Sequence, residues 1–165
     1  MNRTKRLTLL ALAVAVAMML SYIELLLPPV FSAVPGIKMG LANIAALFVL
    51  YKSGVLDAAF VSLVRVALSS LLFGTALTFV YSLAGAVLSL AVMWLLKKTA
   101  LFSVTGVSVA GAVSHNVGQI IVAVIILGTK EIMYYMAVLA VTGIISGVLV
   151  GLLSGLLIKK INLAK

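Results

Sequence analysis

Three hydrogen-bonding side chains lie together in a segment that is otherwise apolar. His115 and Asn116 are adjacent and Gln119 follows one helical turn later, in the stretch GAVSHNVGQIIVAVIILG at residues 111–128. In a helix, His115 and Gln119 share one face. The chain has one histidine and no cysteine, so this group makes neither a metal site nor a catalytic triad. Its chemistry is hydrogen bonding, either to a ligand or to a neighbouring helix.

Arg65 is the second candidate, and it also lies in an apolar run. Ser62 and Ser69 are spaced three residues before it and four after it, so all three share one helical face. A guanidinium forks onto carboxylate or phosphate groups. Arg65 therefore predicts either an internal ion pair, for which Glu24 is a candidate, or an anionic ligand.

The composition indicates that these groups lie in a membrane protein. Of the 165 residues, 65% are hydrophobic and 9% are charged, whereas a soluble domain is about half apolar and about a quarter charged. The net charge of +9 does not indicate nucleic-acid binding, because the basic residues lie at the ends of apolar segments rather than on one face.

Several function classes are excluded by missing motifs. The chain has no P-loop for ATP hydrolysis. Its acids are Glu24, Asp57 and Glu131, which form no pair or cluster along the chain for Mg²⁺ binding or acid–base catalysis. We therefore predict a non-enzymatic protein without a metal or cofactor.

The chain divides into six apolar segments within a single membrane domain, residues 1–165. They cover about residues 7–27, 41–51, 55–73, 76–96, 104–127 and 133–158. A transmembrane helix needs about 20 residues, so the second segment is too short to span alone. The prediction is an all-α bundle of six transmembrane helices with a short second helix.

The distribution of basic residues predicts the orientation. Most of the twelve lie at ends that are cytoplasmic if the N-terminus is inside, whereas Lys38 and Lys130 lie at outer ends. This distribution predicts a cell-membrane protein with both termini in the cytoplasm. The first segment starts like a signal peptide, but its apolar run continues to Leu27, which favours a retained span.

The polar side chains fall at similar or more outward depths in this topology. At 1.5 Å per residue, Arg65 and His115 lie about 15 Å from the inner ends of their spans, near the midplane. We predict that the polar groups line a substrate pocket open to the outside. The predicted binding residues are Glu24, Lys38, Asn43, Arg65, Tyr81, His115, Asn116 and Gln119. The alternative is a closed network that joins the helices.

Small residues recur every four positions on two segments. Gly143, Gly147, Gly151 and Gly155 follow this spacing on the last segment, and alanines do so on the first. This spacing lets helix backbones approach closely in lipid. Packing within the bundle and docking to another membrane protein both remain open for each set.

Two stretches carry a family resemblance. PGIKMGLANIAALFVLY at 35–51 and GAVSHNVGQIIVA at 111–123 resemble signatures of the Gx transporter family, small bacterial membrane proteins often labelled heptaprenyl diphosphate synthase component I. The resemblance covers most of residues 7–158. That family is similar to the substrate-binding S-components of energy-coupling factor (ECF) transporters.

The resemblance implies a function and partners. S-components are six-helix proteins that bind a vitamin-like molecule from outside. They dock, through small residues of the first helix, on a transmembrane coupling protein that works with two ATPases. The corresponding residues here are Ala11, Ala13, Ala15 and Ala17. The implied substrate is a small anionic or vitamin-like molecule, related to flavin or to isoprenoid and quinone metabolism.

The family label implies an alternative, an accessory membrane subunit in isoprenoid or menaquinone synthesis. Prenyl diphosphate synthases of the usual type hold Mg²⁺ with Asp-rich motifs. This chain has one aspartate, Asp57. On that reading it is a non-catalytic subunit beside a soluble synthase.

Overall fold

The computed structural model describes residues 2–26 and 40–161, and within these ranges the chain is helical apart from short connections. The helices are α1 (Arg3–Leu26), α2 (Asn43–Lys52), α3 (Val55–Phe73), α4 (Ala76–Thr99), α5 (Val104–Leu127) and α6 (Met136–Lys160). A short 3-10 helix, Lys130–Tyr135, precedes α6. Lys38 and the predicted outer connection around it lie outside the described residues.

Five of these helical segments are long and apolar enough to cross a membrane, whereas α2, with 10 residues, is not. The protein is therefore an all-α, multi-pass membrane protein, as predicted. The six-span count and the cytoplasmic termini stay predictions. Helices α3 and α5 begin and end where the hydropathy pattern placed them. Helices α1, α4 and α6 continue into the basic residues that flank their apolar runs.

Helix α2 lies in the centre of the bundle. Helices α1, α3, α4, α5 and α6 pack in that order, each on the next, and α2 contacts α1, α3, α4 and α6. The side chains of Leu47, Val49 and Leu50 on α2 are fully buried. A helix surrounded in this way needs no polar face, which explains why residues 44–50 of α2 are all apolar.

Two hydrogen bonds place α2 in one half of the bundle. Ser154, near the end of α6, donates to the carbonyl of Ile44 at 3.4 Å. Lys97, near the end of α4, donates to the carbonyl of Leu50 at 2.6 Å. We call this half, which holds the C-termini of α2, α4 and α6, the basic half, and the opposite one the site half. A 10-residue helix is about 15 Å long, so α2 fills only the basic half.

The glycines of α6 mostly serve packing inside the bundle. A Cβ atom built on Gly147 would lie 2.7 Å from the Cα atom of Val109 on α5, and one on Gly151 would lie 2.6 Å from that of Thr105. One on Gly143 would lie 2.8 Å from the Asn116 amide. Internal packing is thus confirmed for three of the four glycines. Gly155 has nothing within 4 Å of its Cβ position.

This contrast predicts different effects for the same substitution. Gly147→Ala pushes a methyl group into the α5 backbone and is expected to cost about 1–3 kcal/mol of stability. Gly155→Ala is expected to be neutral or to stabilise by up to about 1 kcal/mol, because alanine is the better helix former. Thermal unfolding in detergent measures both. Equal effects would contradict the described α5–α6 packing.

Candidate functional site

Arg65 lies in the interior of the bundle with polar groups from two other helices. Its side chain is 3% exposed, and its Nη2 donates to the Oδ1 of Asn43 at 3.3 Å. The carboxylate of Glu24 on α1 is near enough to interact electrostatically with the guanidinium. Part of the predicted closed network is therefore present, and it joins α1, α2 and α3.

Gly40 completes this arginine cluster, which comprises Glu24, Gly40, Asn43 and Arg65. Its N–H donates to Oε1 of Glu24, and its carbonyl accepts from the N–H of Asn43 at 2.9 Å. Gly40 has φ +84°, and a Cβ atom there would lie 3.0 Å from the amide of Asn43. Both the left-handed backbone and the close approach require glycine. Gly40 therefore sets the turn that brings Asn43 to Arg65.

The polar group of α5 divides between two neighbouring helices. His115 packs on α4, where a Cβ atom on Gly85 would lie 2.9 Å from the His115 ring. Asn116 packs on α6, where its Nδ2 donates to the carbonyl of Leu139 at 2.6 Å. This bond uses one of the two Nδ2 hydrogens of Asn116 to join two helices, as the network alternative expects. The predicted contact of Asn116 with a ligand stays a prediction.

The side-chain amide of Gln119 is buried but makes no hydrogen bond within the described structure. Its side chain is 0% exposed, and among the described residues neither its Nε2 nor its Oε1 has a hydrogen-bond partner. At about 100° per residue, Gln119 is offset by about 40° from His115 and about 60° from Asn116. It therefore lies between the faces directed at α4 and α6, on the side of the bundle interior. An unpaired buried polar group costs about 1–3 kcal/mol, so this side chain needs an explanation.

Ser82 on α4 lies at the level of Gln119. The two helices run antiparallel, with Gly118 against Ala84 and Gly111 against Ser89 and Met93. This register brings Ser82 level with Gln119. The hydroxyl of Ser82 is also buried without a hydrogen-bond partner in the described part of the chain. Sequence reasoning missed Ser82, although its spacing from Gly85 and Ser89 puts all three on one helical face.

Tyr81 belongs to an apolar cluster instead. It is buried with Ile120, Ala123, Ile132 and Leu139. Its predicted contact with a ligand stays a prediction, and its ring lies among hydrocarbon side chains beside the polar groups.

Arg65 and Gln119 are equally far from the site-half ends of their helices. Arg65 precedes the end of α3 at Phe73 by eight residues, and Gln119 precedes the end of α5 at Leu127 by eight. Each is therefore about 12 Å from its helix end. A cation, an amide and a hydroxyl at one level can bind an anionic, hydrogen-bonding molecule. The described residues contain no group of three His, Asp or Glu side chains that could hold a metal ion.

Asp57 has a structural role in the opposite half. The Nε of Arg6 on α1 donates to both of its carboxylate oxygens at 3.0 Å, and Nη2 also bonds Oδ1. This forked pair ties the start of α1 to the start of α3.

The four predicted docking alanines divide by burial. Ala13 and Ala17 are buried against the bundle, whereas Ala11 and Ala15 are exposed on the outer face of α1. Large apolar side chains on the same helix, Leu12 and Met19, are exposed as well. Only Ala11 and Ala15 are therefore available to a partner helix.

Comparison with known proteins identifies the family. Residues 13–157 match the model of the family described as heptaprenyl diphosphate synthase component I. No curated protein and no solved structure matches the chain. The matched region takes in all or most of each helix, including every residue of the arginine cluster and the polar group of α5. The chain therefore belongs to the heptaprenyl diphosphate synthase component I family.

Proposed function

We propose that this protein is the substrate-binding membrane subunit of an ECF-type transporter, and that the site half binds a small anionic molecule from outside the cell. The observation that carries the proposal is Gln119, a fully buried amide that has no hydrogen-bond partner among the described residues. A closed network would use these atoms, as it uses Asn116. A ligand-binding site keeps them for the substrate.

Arg65 supplies the charge for this substrate. A guanidinium has five N–H donors, and the one hydrogen bond of Arg65 to another described side chain goes to Asn43. The other donors suit a carboxylate or phosphate, with which arginine forms forked bonds. Asn43 and Glu24 orient the guanidinium, and Lys38 is proposed as a second cation from the outer connection.

The position of α2 supports substrate entry through the site half and not through the basic half. Its apolar side chains and those packed on it close the basic half. The buried polar groups proposed to bind substrate lie level with the start of α2 or farther into the site half. In a membrane, an ionisable side chain inside a helix bundle, such as Arg65, is a candidate for a binding site or a transport path.

Transport needs partners that provide energy, since the chain has no P-loop. We propose that the exposed strip at Ala11 and Ala15 docks on a transmembrane coupling protein that works with two ATPases. Small residues at this spacing allow close helix contact in lipid.

The second candidate is a non-catalytic accessory subunit of a prenyl diphosphate synthase. The name of the family favours it, because a component I implies at least one further component. On this reading the exposed face of the bundle holds a soluble synthase at the membrane, and the protein takes no substrate itself.

Affinity purification from the native membrane separates the two candidates. The transporter proposal predicts that the tagged protein retains a multi-span coupling protein and two ATPases in mild detergent, and that reconstituted vesicles accumulate substrate only with ATP. Recovery of a soluble Asp-rich synthase instead, with altered prenyl chain length on deletion of this protein, would establish the accessory role and reject the transporter.

A further inference from the structure

Gln119 also constrains the chemistry of the ligand. A primary amide offers N–H donors at Nε2 and an acceptor at Oε1, side by side. Both atoms are fully buried and unpaired in the described part of the chain. A ligand that satisfies both must present an acceptor next to a donor.

We propose, building on the transporter function above, that the ligand carries an amide, lactam or imide edge and that Gln119 binds this edge in two parallel hydrogen bonds. The same ligand carries an anionic group for Arg65, which is as far from the end of α3 as Gln119 is from the end of α5. The hydroxyl of Ser82, at the level of Gln119 on α4, provides one further hydrogen bond to the ring or its substituents.

Other anionic molecules fit Gln119 less well. A carboxylate or a fully ionised phosphate without such an edge has acceptors only, so Oε1 of Gln119 would stay unpaired. A prenyl chain has neither donor nor acceptor, so both atoms would stay unpaired at the full cost of their burial. The amide therefore selects a planar nitrogen heterocycle or a carboxamide over an isoprenoid tail.

Asn116 shows that the amide of Gln119 is not a general helix contact. The two residues lie one turn apart on α5, and Asn116 already bonds the backbone of α6. Gln119 points between the two neighbouring helices and bonds neither in the described structure. The two amides therefore differ in role, and Asn116 is a matched control for Gln119.

Thermal unfolding of the ligand-free protein in detergent is the first test. Gln119→Leu removes two unpaired polar atoms at similar volume and is expected to raise Tm by about 2 °C or more. Asn116→Leu breaks the bond to Leu139 and is expected to lower Tm by a similar amount. A fall in Tm for both variants would show that Gln119 holds the fold and would overturn the inference.

Ligand discrimination is the second test, with flavin mononucleotide as the probe because it carries a phosphate and an imide edge. The wild type is expected to bind it at least about 10-fold more tightly than the N3-methyl derivative, which lacks the imide donor. Gln119→Leu is expected to remove this preference. Equal responses to the two flavins, including none to either, would overturn the inference.

Failure of this inference differs from failure of the proposed function. Farnesyl phosphate is an anion without an amide edge. Tight, Arg65-dependent binding of farnesyl phosphate together with equal responses to both flavins leaves a substrate-binding subunit but rejects the role of Gln119. Absence of an ATPase partner and of uptake, with flavin discrimination intact, rejects the transporter and keeps the role of Gln119.

Discussion

Arg65→Gln is expected to weaken ligand binding by about 10- to 100-fold while the bundle stays folded. Glutamine can keep a hydrogen bond to Asn43 but removes the charge and the fork. A hydrogen bond to a charged group is worth about 1.5–3 kcal/mol, which corresponds to this range. Equilibrium binding of the ligand recovered from the wild type, measured in detergent, gives the ratio.

Arg6→Gln is the matched control, because it removes the arginine that forms an ion pair with Asp57 in the basic half. It is expected to lower stability, since it leaves the buried Asp57 carboxylate unpaired, but to keep ligand affinity within about twofold. Arg65→Lys retains a charge without the fork and is expected to fall between wild type and Arg65→Gln. Unchanged binding in Arg65→Gln would remove Arg65 from the site.

Ala15→Trp is expected to abolish ATP-dependent uptake and to leave ligand affinity unchanged. Ala15 is exposed on α1, and an indole there holds a partner helix away from a contact that needs a small residue. The site half lies inside the bundle and is not touched by this change. Uptake into vesicles and ligand binding by the isolated subunit are measured on the same variant.

Val87→Trp provides the control for bulk on a lipid-facing surface, because Val87 is 60% exposed on α4. It is expected to keep both uptake and binding. If Ala15→Trp transports normally, or if both variants lose uptake equally, the strip at Ala11 and Ala15 is not the docking surface.

Hydropathy predicted the helices well because apolar runs and their breaks follow directly from the lipid environment. Helix α3 begins after Gly54 and ends before Gly74, and α5 ends before Gly128, which takes φ +68°. The depth of α2 could not be predicted in the same way. It depends on contacts with residues far along the chain, such as the bond from Ser154 to Ile44.

The sequence predicted a set of candidate site residues, but not the separate contacts that each of them makes. The sequence predicts one polar patch of His115, Asn116 and Gln119, but about 100° of rotation per residue directs the three side chains differently. The structure separates a helix contact at Asn116 from an unpaired amide at Gln119. Their roles depend on which neighbour each side chain meets, and the spacing along one helix does not contain that information.

The roles of Ser82 and of the alanines of α1 also could not be predicted from the sequence. A serine in a helix usually bonds its own backbone, so its presence in an apolar run gives no signal. Other buried serines in the described part of the chain also have unpaired hydroxyls, and Ser82 stands out only because it lies level with Gln119. The four alanines of α1 share one spacing, yet only two are exposed. Burial on α1 depends on where α2 and α3 pack, which the spacing alone cannot specify.

The most direct test of the central claim is mass spectrometry of the small molecules that purify with the protein in mild detergent. The account predicts one dominant anionic compound, near one per protein chain, that is lost in Arg65→Gln and retained in Arg6→Gln. Wild-type protein that carries no small molecule, or one retained equally by Arg65→Gln, would contradict a ligand-binding site in this half of the bundle.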